Sequence, residues 1–432
     1  MIQYDRFVLD NGLTVLVHED HSTPVAVVNI MYNVGSRDEN PEKTGFAHLF
    51  EHLMFGGSVN IPEYDEPLQM AGGENNAYTT NDITNYYLQL PAENLETAFW
   101  LESDRMLSLA FSEKSLDVQR KVVCEEFKEH YINKPYGDVW HKMRKLAYTT
   151  HPYRWMTIGK ELSHVEDVKI EDVKAFFFKH YRPVNAVLVV AGKVTLDRVK
   201  ELAEKWFGPI PMGEKYVRNL PVEPPQKSPK LLEVKADVPV DLLLKTWHMG
   251  GRLDKEYYIA DLITEILGGG GSSRLHQKLV KEKQIFSSID CYHYGTVEPG
   301  LFTVDGKLVK GVDIKDAEAE LMVEIRLMQA ELITDNELQK IKNKTESAIA
   351  FEDISIMNRA NSLAFYETLG DANLINTELQ RYHAITAAEI NEYCKILFDD
   401  NNSNTLHYLS KKRVIEEIGD RSEEVEEYNT TQ

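Results

Sequence analysis

Val25-Ala26-Val27-Val28-Asn29-Ile30-Met31-Tyr32-Asn33-Val34-Gly35-Ser36-Arg37-Asp38-Glu39 is an apolar, strand-like run that ends in a glycine turn and a charged cluster. Residues 240–256, VDLLLKTWHMGGRLDKE, pass through the same stages in the same order. The likeness continues downstream. Phe46-Ala47-His48-Leu49-Phe50-Glu51-His52-Leu53 can be laid on Ile259-Ala260-Asp261-Leu262-Ile263-Thr264-Glu265-Ile266, with the apolar positions coinciding. Such internal similarity points to a duplicated unit. His48, Glu51 and His52 become Asp261, Thr264 and Glu265 in the second copy, so the core pattern is kept there and the chemistry is lost. Between the copies, Gly213 to Lys230 holds Pro221, Pro224, Pro225 and Pro229 with little apolar periodicity, as a linker does. The expected fold is α+β: two homologous α/β domains, each an antiparallel-rich sheet with packed helices. They span residues 1–212 and 233–432, with a linker over 213–232.

Within the first copy, Phe7-Val8-Leu9 and Leu13 to Val17 flank Asp10-Asn11-Gly12, an Asn-Gly hairpin signal. Val25 to Tyr32 reads as a buried strand. The apolar spacing becomes helical from Gly45 to Met54, and Thr79 to Leu90 returns to strand. Helices are expected near Leu95–Leu109, Ser115–His130 and Leu196–Trp206, with a strand at Ala186–Gly192.

Bulk composition removes several classes of function. Of 432 residues, 43% are hydrophobic and 27% charged, as in ordinary globular proteins. The formal net charge of −21 argues against nucleic acid as a partner. Part of that charge crowds the end of the chain, at Glu416, Glu417, Asp420, Glu423, Glu424, Glu426 and Glu427, which is expected to fray. No apolar run reaches the ~18 residues of a membrane span. Met1 to Arg6 lacks the basic start and apolar core of a signal peptide, which points by default to the cytoplasm, or to the periplasm if a leader has been removed. Cys124, Cys291 and Cys394 are far apart, so a metal would be held by histidines and carboxylates.

On a helix, residues i, i+3 and i+4 share a face, so His48, Glu51 and His52 project together. Two neutral imidazoles spaced i, i+4 can hold one zinc ion. Zinc lowers the pKa of the water it holds towards ~7, and a carboxylate alongside can take the proton. The order H-x-x-E-H is that of a group of zinc peptidases. A catalytic zinc generally has three protein ligands. The run Gln119-Arg120-Lys121-Val122-Val123-Cys124-Glu125-Glu126, on an expected helix, is the best source of the third, and spacing alone does not choose between Glu125 and Glu126.

With these residues on the page, the chain resembles the M16 zinc peptidases, the group of pitrilysin, insulin-degrading enzyme and the mitochondrial processing peptidase. The resemblance runs through LDNGLTVLV, GSRDE, GFAHLFEHLMFGG, GGENNAYTTNDITNYY and YRPVNAVLVVAGKV. It implies a zinc-dependent endopeptidase, with one zinc ion per chain held by His48, His52 and Glu126, and with Glu51 as general base. It also implies that Asn76 and Ala77 lie on an edge strand to which substrate backbone pairs, an arrangement that demands little of the substrate's sequence. In this family two such chains, each of two similar domains, enclose a chamber for peptides or unfolded polypeptides, each chain being half of a clam-shell.

This sequence departs from the family in two places. A second glutamate often stands seven residues before the third ligand; here that place is Gln119. Many members also carry an Arg and a Tyr after SSRLxQxL, where they hold the substrate carbonyl and transition state. Here those places fall on Val280 and Ser287. An oxyanion-type donor is worth on the order of 10²–10³ in rate. The expectation is therefore a heterodimer in which this chain bears the metal and a homologous subunit without HxxEH supplies the Arg and Tyr. A homodimer is the alternative assembly, though it would leave the site without that donor. The alternative is a non-catalytic scaffold or peptide-binding subunit of a processing complex. Gly268 to Gly271 reads either as a helix-ending turn or as a flexible wall of the chamber.

Overall fold

The computed structural model describes residues 1–411, and the acidic cluster from Glu416 to Glu427 lies outside the described residues. Six strands form the first sheet: β1 Asp5–Val8, β2 Thr14–Glu19, β3 Val25–Tyr32, β4 Glu74–Thr79, β5 Thr84–Pro91 and β6 Ala186–Gly192, in the order β1-β2-β6-β3-β5-β4. Five form the second: β7 Lys230–Ala236, β8 Leu242–His248, β9 Phe286–His293, β10 Leu301–Leu308 and β11 Ser403–Ser410, in the order β7-β11-β8-β10-β9.

Apart from β1, the two sheets share one topology. Each begins with a parallel pair, β2 with β6 and β7 with β11, in which the first strand of the repeat meets its last. The other pairings are antiparallel. A shared order with the parallel pair in the same place is a far stronger sign of duplication than matching apolar residues.

Local structure follows the sequence closely at β3, β6 and the helix Leu196–Trp206. It departs from it at the start of the expected Thr79–Leu90 strand: β5 takes up Thr84 onward, but Thr79 ends a separate strand, β4, and the chain turns between them. The Thr80 hydroxyl accepts the N–H groups of Asp82 and Ile83 at 3.0 and 3.1 Å, and Thr80 N donates to Ile83 O. This local bonding turns the chain and creates an edge strand. The expected helix to His130 is an α-helix over Glu113–Phe127 that loosens into a π-turn over Lys128–Ile132.

Compactness divides the chain into two units that do not follow its halves. Among the described residues, the first comprises 1–130, 150–222 and 346–380; the second comprises 131–149, 223–345 and 381–411. The cause is apolar packing. In the first unit Leu16, Val27, Met31, Val187 and Val189 form a sheet face covered by Ala360, Leu363 and Ala364 of the helix Ile356–Thr368. In the second, Leu242, Leu244, Leu406 and Tyr408 are covered by Val139 and Met143 of the helix Val139–Ala147. Each sheet must bury an apolar face, and in each case the cover comes from the other half of the sequence. Among the described residues no helix is long and apolar enough to cross a membrane.

Candidate metal centre

The helix Phe46–Leu53 lies against the opposite face of the first sheet. Phe46, Ala47, Leu49, Phe50 and Leu53 are buried. Phe50 stacks on Tyr181 with ring centroids 5.0 Å apart, and its carbonyl accepts from the Tyr86 hydroxyl. This apolar stripe leaves His48, Glu51 and His52 on the half-buried face.

The start of this helix is fixed by a buried acid. Glu39 accepts the N–H groups of Gly45 at 3.0 Å and Ala47 at 2.9 Å, together with the Trp155 indole N–H at 3.1 Å. It thereby satisfies donors that a helix N-terminus leaves free. Burial pushes its carboxyl up to about 8, against the pull of those donors. Gly45 has φ +91, and a Cβ there would come within 2.7 Å of Ile158 O, so the turn into the helix requires glycine.

Glu126 projects from the helix Glu113–Phe127 towards both histidines. Its Oε2 is 3.8 Å from His48 Nε2 and 3.5 Å from His52 Nε2, and one ligand atom from each of the three residues lies within 4.8 Å of the others. Ligands about 2.0–2.1 Å from a tetrahedral zinc are separated by roughly 3.3 Å, so the cradle has the dimensions of a zinc site. Burial keeps His48 neutral, the form that ligates metal. The interaction with His52 holds the Glu126 carboxyl low, against the opposing effect of burial. Glu125 is exposed and paired with Lys128, so geometry separates the two glutamates that spacing could not. His48 Nδ1 is buried with no protein hydrogen-bond partner.

Glu51 lies beside this trio. Burial raises its carboxyl above the ordinary range, opposed by a hydrogen bond from the Thr79 hydroxyl, which donates to Oε2 at 2.6 Å. Thr79 ends β4, the exposed edge of the first sheet. Asn76 and Ala77 lie in the same strand, where Asn76 Oδ1 accepts the Ala77 N–H at 2.8 Å. Five side chains, His48, Glu51, His52, Glu126 and Thr79, thus converge from two helices and an edge strand within one unit. Sequence reading singled out neither Glu39 nor Thr79, although both lie in the runs GSRDE and NAYTT that carry the family resemblance.

Of the residues in the expected partner-dependent part, Val280 is half-buried in the π-helix His276–Glu282. Ser287 is exposed on β9 and donates to Lys307 O.

Residues 14–154 match the family model described as Insulinase (Peptidase family M16), and residues 167–345 match the one described as Peptidase M16 inactive domain. The chain belongs to the M16 peptidase family. It is similar to "Zinc protease PqqE" of Helicobacter pylori, with 27% identity over 410 residues, covering 94% of this chain and 92% of that protein. It is also similar to "Mitochondrial-processing peptidase subunit beta" of Saccharomyces cerevisiae, with 29% identity over 212 residues, covering 48% of this chain and 45% of that one. Among solved structures, a protease from Helicobacter pylori superposes with a TM-score of 0.88 at 26% identity, covering 94% of this chain and all of that one. Pitrilysin shares the fold, with a TM-score of 0.75 at 18% identity over 95% of this chain and 45% of that one.

Proposed function

We propose that this chain is a zinc-dependent endopeptidase that cleaves peptides or unfolded polypeptides, with His48, His52 and Glu126 as ligands of one zinc ion and Glu51 as general base. The observation that carries this reading is the approach of three ligand atoms to within 4.8 Å of one another beside a half-buried glutamate. The curated relatives named zinc proteases support it.

Zinc, when bound, supplies Lewis acidity and makes water acidic enough to attack at neutral pH. Glu51 takes the proton of the attacking water on its carboxylate. It then delivers that proton to the amide nitrogen as the C–N bond breaks, so the products are a carboxylate and a free amine. Asn76 and Ala77 on the β4 edge hold the substrate as an added strand. With Val280 and Ser287 in place of an Arg and a Tyr, the donor to the substrate carbonyl comes from a homologous second subunit, and the two chains enclose the substrate. Residues 213–232 are the junction of the two repeats in this reading.

A scaffold role is the second reading, favoured by those same two residues. Metal analysis and peptidase assays of the purified chain, alone and mixed with an M16-like chain carrying the Arg and Tyr, separate the two. A zinc-loaded chain that hydrolyses unfolded polypeptide, and a Glu51→Gln variant that binds zinc without hydrolysis, support the enzyme. A chain that hydrolyses nothing under either condition is a scaffold.

A further inference from the structure

The contact between Thr79 and Glu51 has a counterpart in the second unit. Across the first sheet Tyr32 pairs with Thr84, and Thr84 with Thr79. Across the second, Trp247 pairs with Phe302, and Phe302 with His293. Tyr32 and Trp247 stand at the same place in the repeated segment, three residues before Gly35 and Gly250. Thr79 and His293 are therefore equivalent positions, each ending the free edge strand of its sheet. Each side chain reaches the helix behind it. Thr79 donates to Glu51, and His293 Nε2 lies 3.1 Å from Oδ1 of Asp261, the residue that stands where His48 does. The fold thus ties the end of the edge strand to this helix in both units, but only in the first does the tie land on the general base.

We propose that Thr79 is a positioning residue: its hydroxyl fixes Glu51 Oε2, leaves Oε1 to exchange the proton, and couples the base to the strand on which substrate docks. The inference rests on the reading of Glu51 as general base. A glutamate carboxylate turns broadly about its last torsion, so a base on a half-exposed helix face needs an external hold to keep one oxygen on the reacting water. A donor at 2.6 Å to a carboxylate is among the stronger hydrogen bonds available. Because Thr79 lies only two residues after Ala77, a substrate strand that orders β4 also orders the base.

The test compares wild type, Thr79→Val, Thr79→Ser and Glu51→Gln in the zinc-loaded assembly that is active for the wild type, alongside crystal structures of the two Thr79 variants. Valine keeps the shape and removes the donor; serine keeps the donor. The expected result for Thr79→Val is unchanged zinc content, KM within about twofold, and kcat lowered roughly 10- to 100-fold, a part of what general-base catalysis contributes. Thr79→Ser restores most of kcat. In the Thr79→Val crystal the Glu51 carboxylate leaves its wild-type position, whereas in Thr79→Ser it stays. Wild-type kcat in Thr79→Val, a kcat loss that serine does not rescue, loss of zinc, or an unmoved Glu51 would each overturn the assignment. An active Glu51→Gln or an inert wild type would instead overturn the peptidase reading, and the position of Glu51 in the crystals would still decide the Thr79 contact.

Discussion

Glu265 and Lys344 form an ion pair in the second unit, at the helix position that carries His52 in the first. Lys344 also donates to Gly269 O at 2.9 Å, closing the end of the same helix. In the first unit His52 turns instead to Glu126. The second helix is thus tied to its neighbour by a direct charge contact, whereas in the first the corresponding residue faces Glu126 within the candidate metal site. Both side chains of the pair are partly exposed, 31% for Glu265 and 48% for Lys344, and ion pairs of that kind contribute about 0–1 kcal/mol. Lys344→Ala should therefore cost less than about 1 kcal/mol in denaturant unfolding and leave the zinc content at one per chain. A second equivalent of zinc, or loss of zinc in the variant, would contradict this division between the units.

The two neighbouring glutamates should behave oppositely. Glu126→Gln removes a charged ligand atom that stands 3.5 Å from His52 Nε2, and zinc affinity should fall by more than about 100-fold, since disturbing even outer partners of a zinc ligand costs 10- to 100-fold. Glu125→Gln touches only an exposed pair with Lys128 and should leave affinity unchanged. Competition with a chromophoric chelator measures both, and stoichiometric retention of zinc by Glu126→Gln would remove it from the ligand set.

Much of this was legible in the residues, for physical reasons that also mark where legibility stops. His48, Glu51 and His52 could be placed on one face because helical spacing fixes direction. Glu126 could be separated from Glu125 only by resemblance, because the proposed third ligand lies on a helix more than seventy residues further along the chain, and the packing of two helices is not written in the spacing of either. The hairpin at Thr80 was hidden by its flanks, since Thr79 and Ile83 both read as strand and the turn is made by one threonine hydroxyl. The exchanged covering helices were hidden as well: nothing in the pattern of Val139–Ala147 states which of two similar sheets it covers.

Activity should depend on a second chain. Val280 and Ser287 offer no cation or phenol for a substrate carbonyl, and an oxyanion-type donor contributes about 10²–10³ in rate. Mixing this chain with an M16-like subunit that carries the Arg and Tyr should raise kcat/KM for an unfolded polypeptide by about that factor. Glu51→Gln in this chain should abolish the gain, while a change in the partner's degenerate metal position should not. Full activity of this chain alone would show that the donor lies elsewhere.

A final expectation concerns acid stability in the second unit. Glu318, on the helix Ile314–Ala330, accepts Lys245 Nζ at 2.8 Å and the Thr405 hydroxyl at 3.2 Å on Oε1, and lies 2.7 Å from His407 Nε2 through Oε2. Burial alone would raise its carboxyl, but the bonds from His407 and Lys245 outweigh burial and bring it down to about 2. A folded-state value below the unfolded one means that the unfolded chain binds the proton first as pH falls. The stabilisation is therefore full above the ordinary glutamate value of about 4.5 and is lost progressively down to about 2. Lys245 and His407 are buried in strands β8 and β11, so Glu318→Gln at pH 7 leaves a buried ammonium without its counter-charge. Breaking such a pair costs about 3–5 kcal/mol when fully buried, and less here because Glu318 is 23% exposed. Hydrogen exchange of the β8 and β11 amides should show the variant opening more readily at pH 7. The gap from wild type should close between about pH 4.5 and pH 2, as wild-type Glu318 itself becomes neutral. A gap independent of pH would mean that the carboxylate's shape, rather than its charge, holds these strands to the helix.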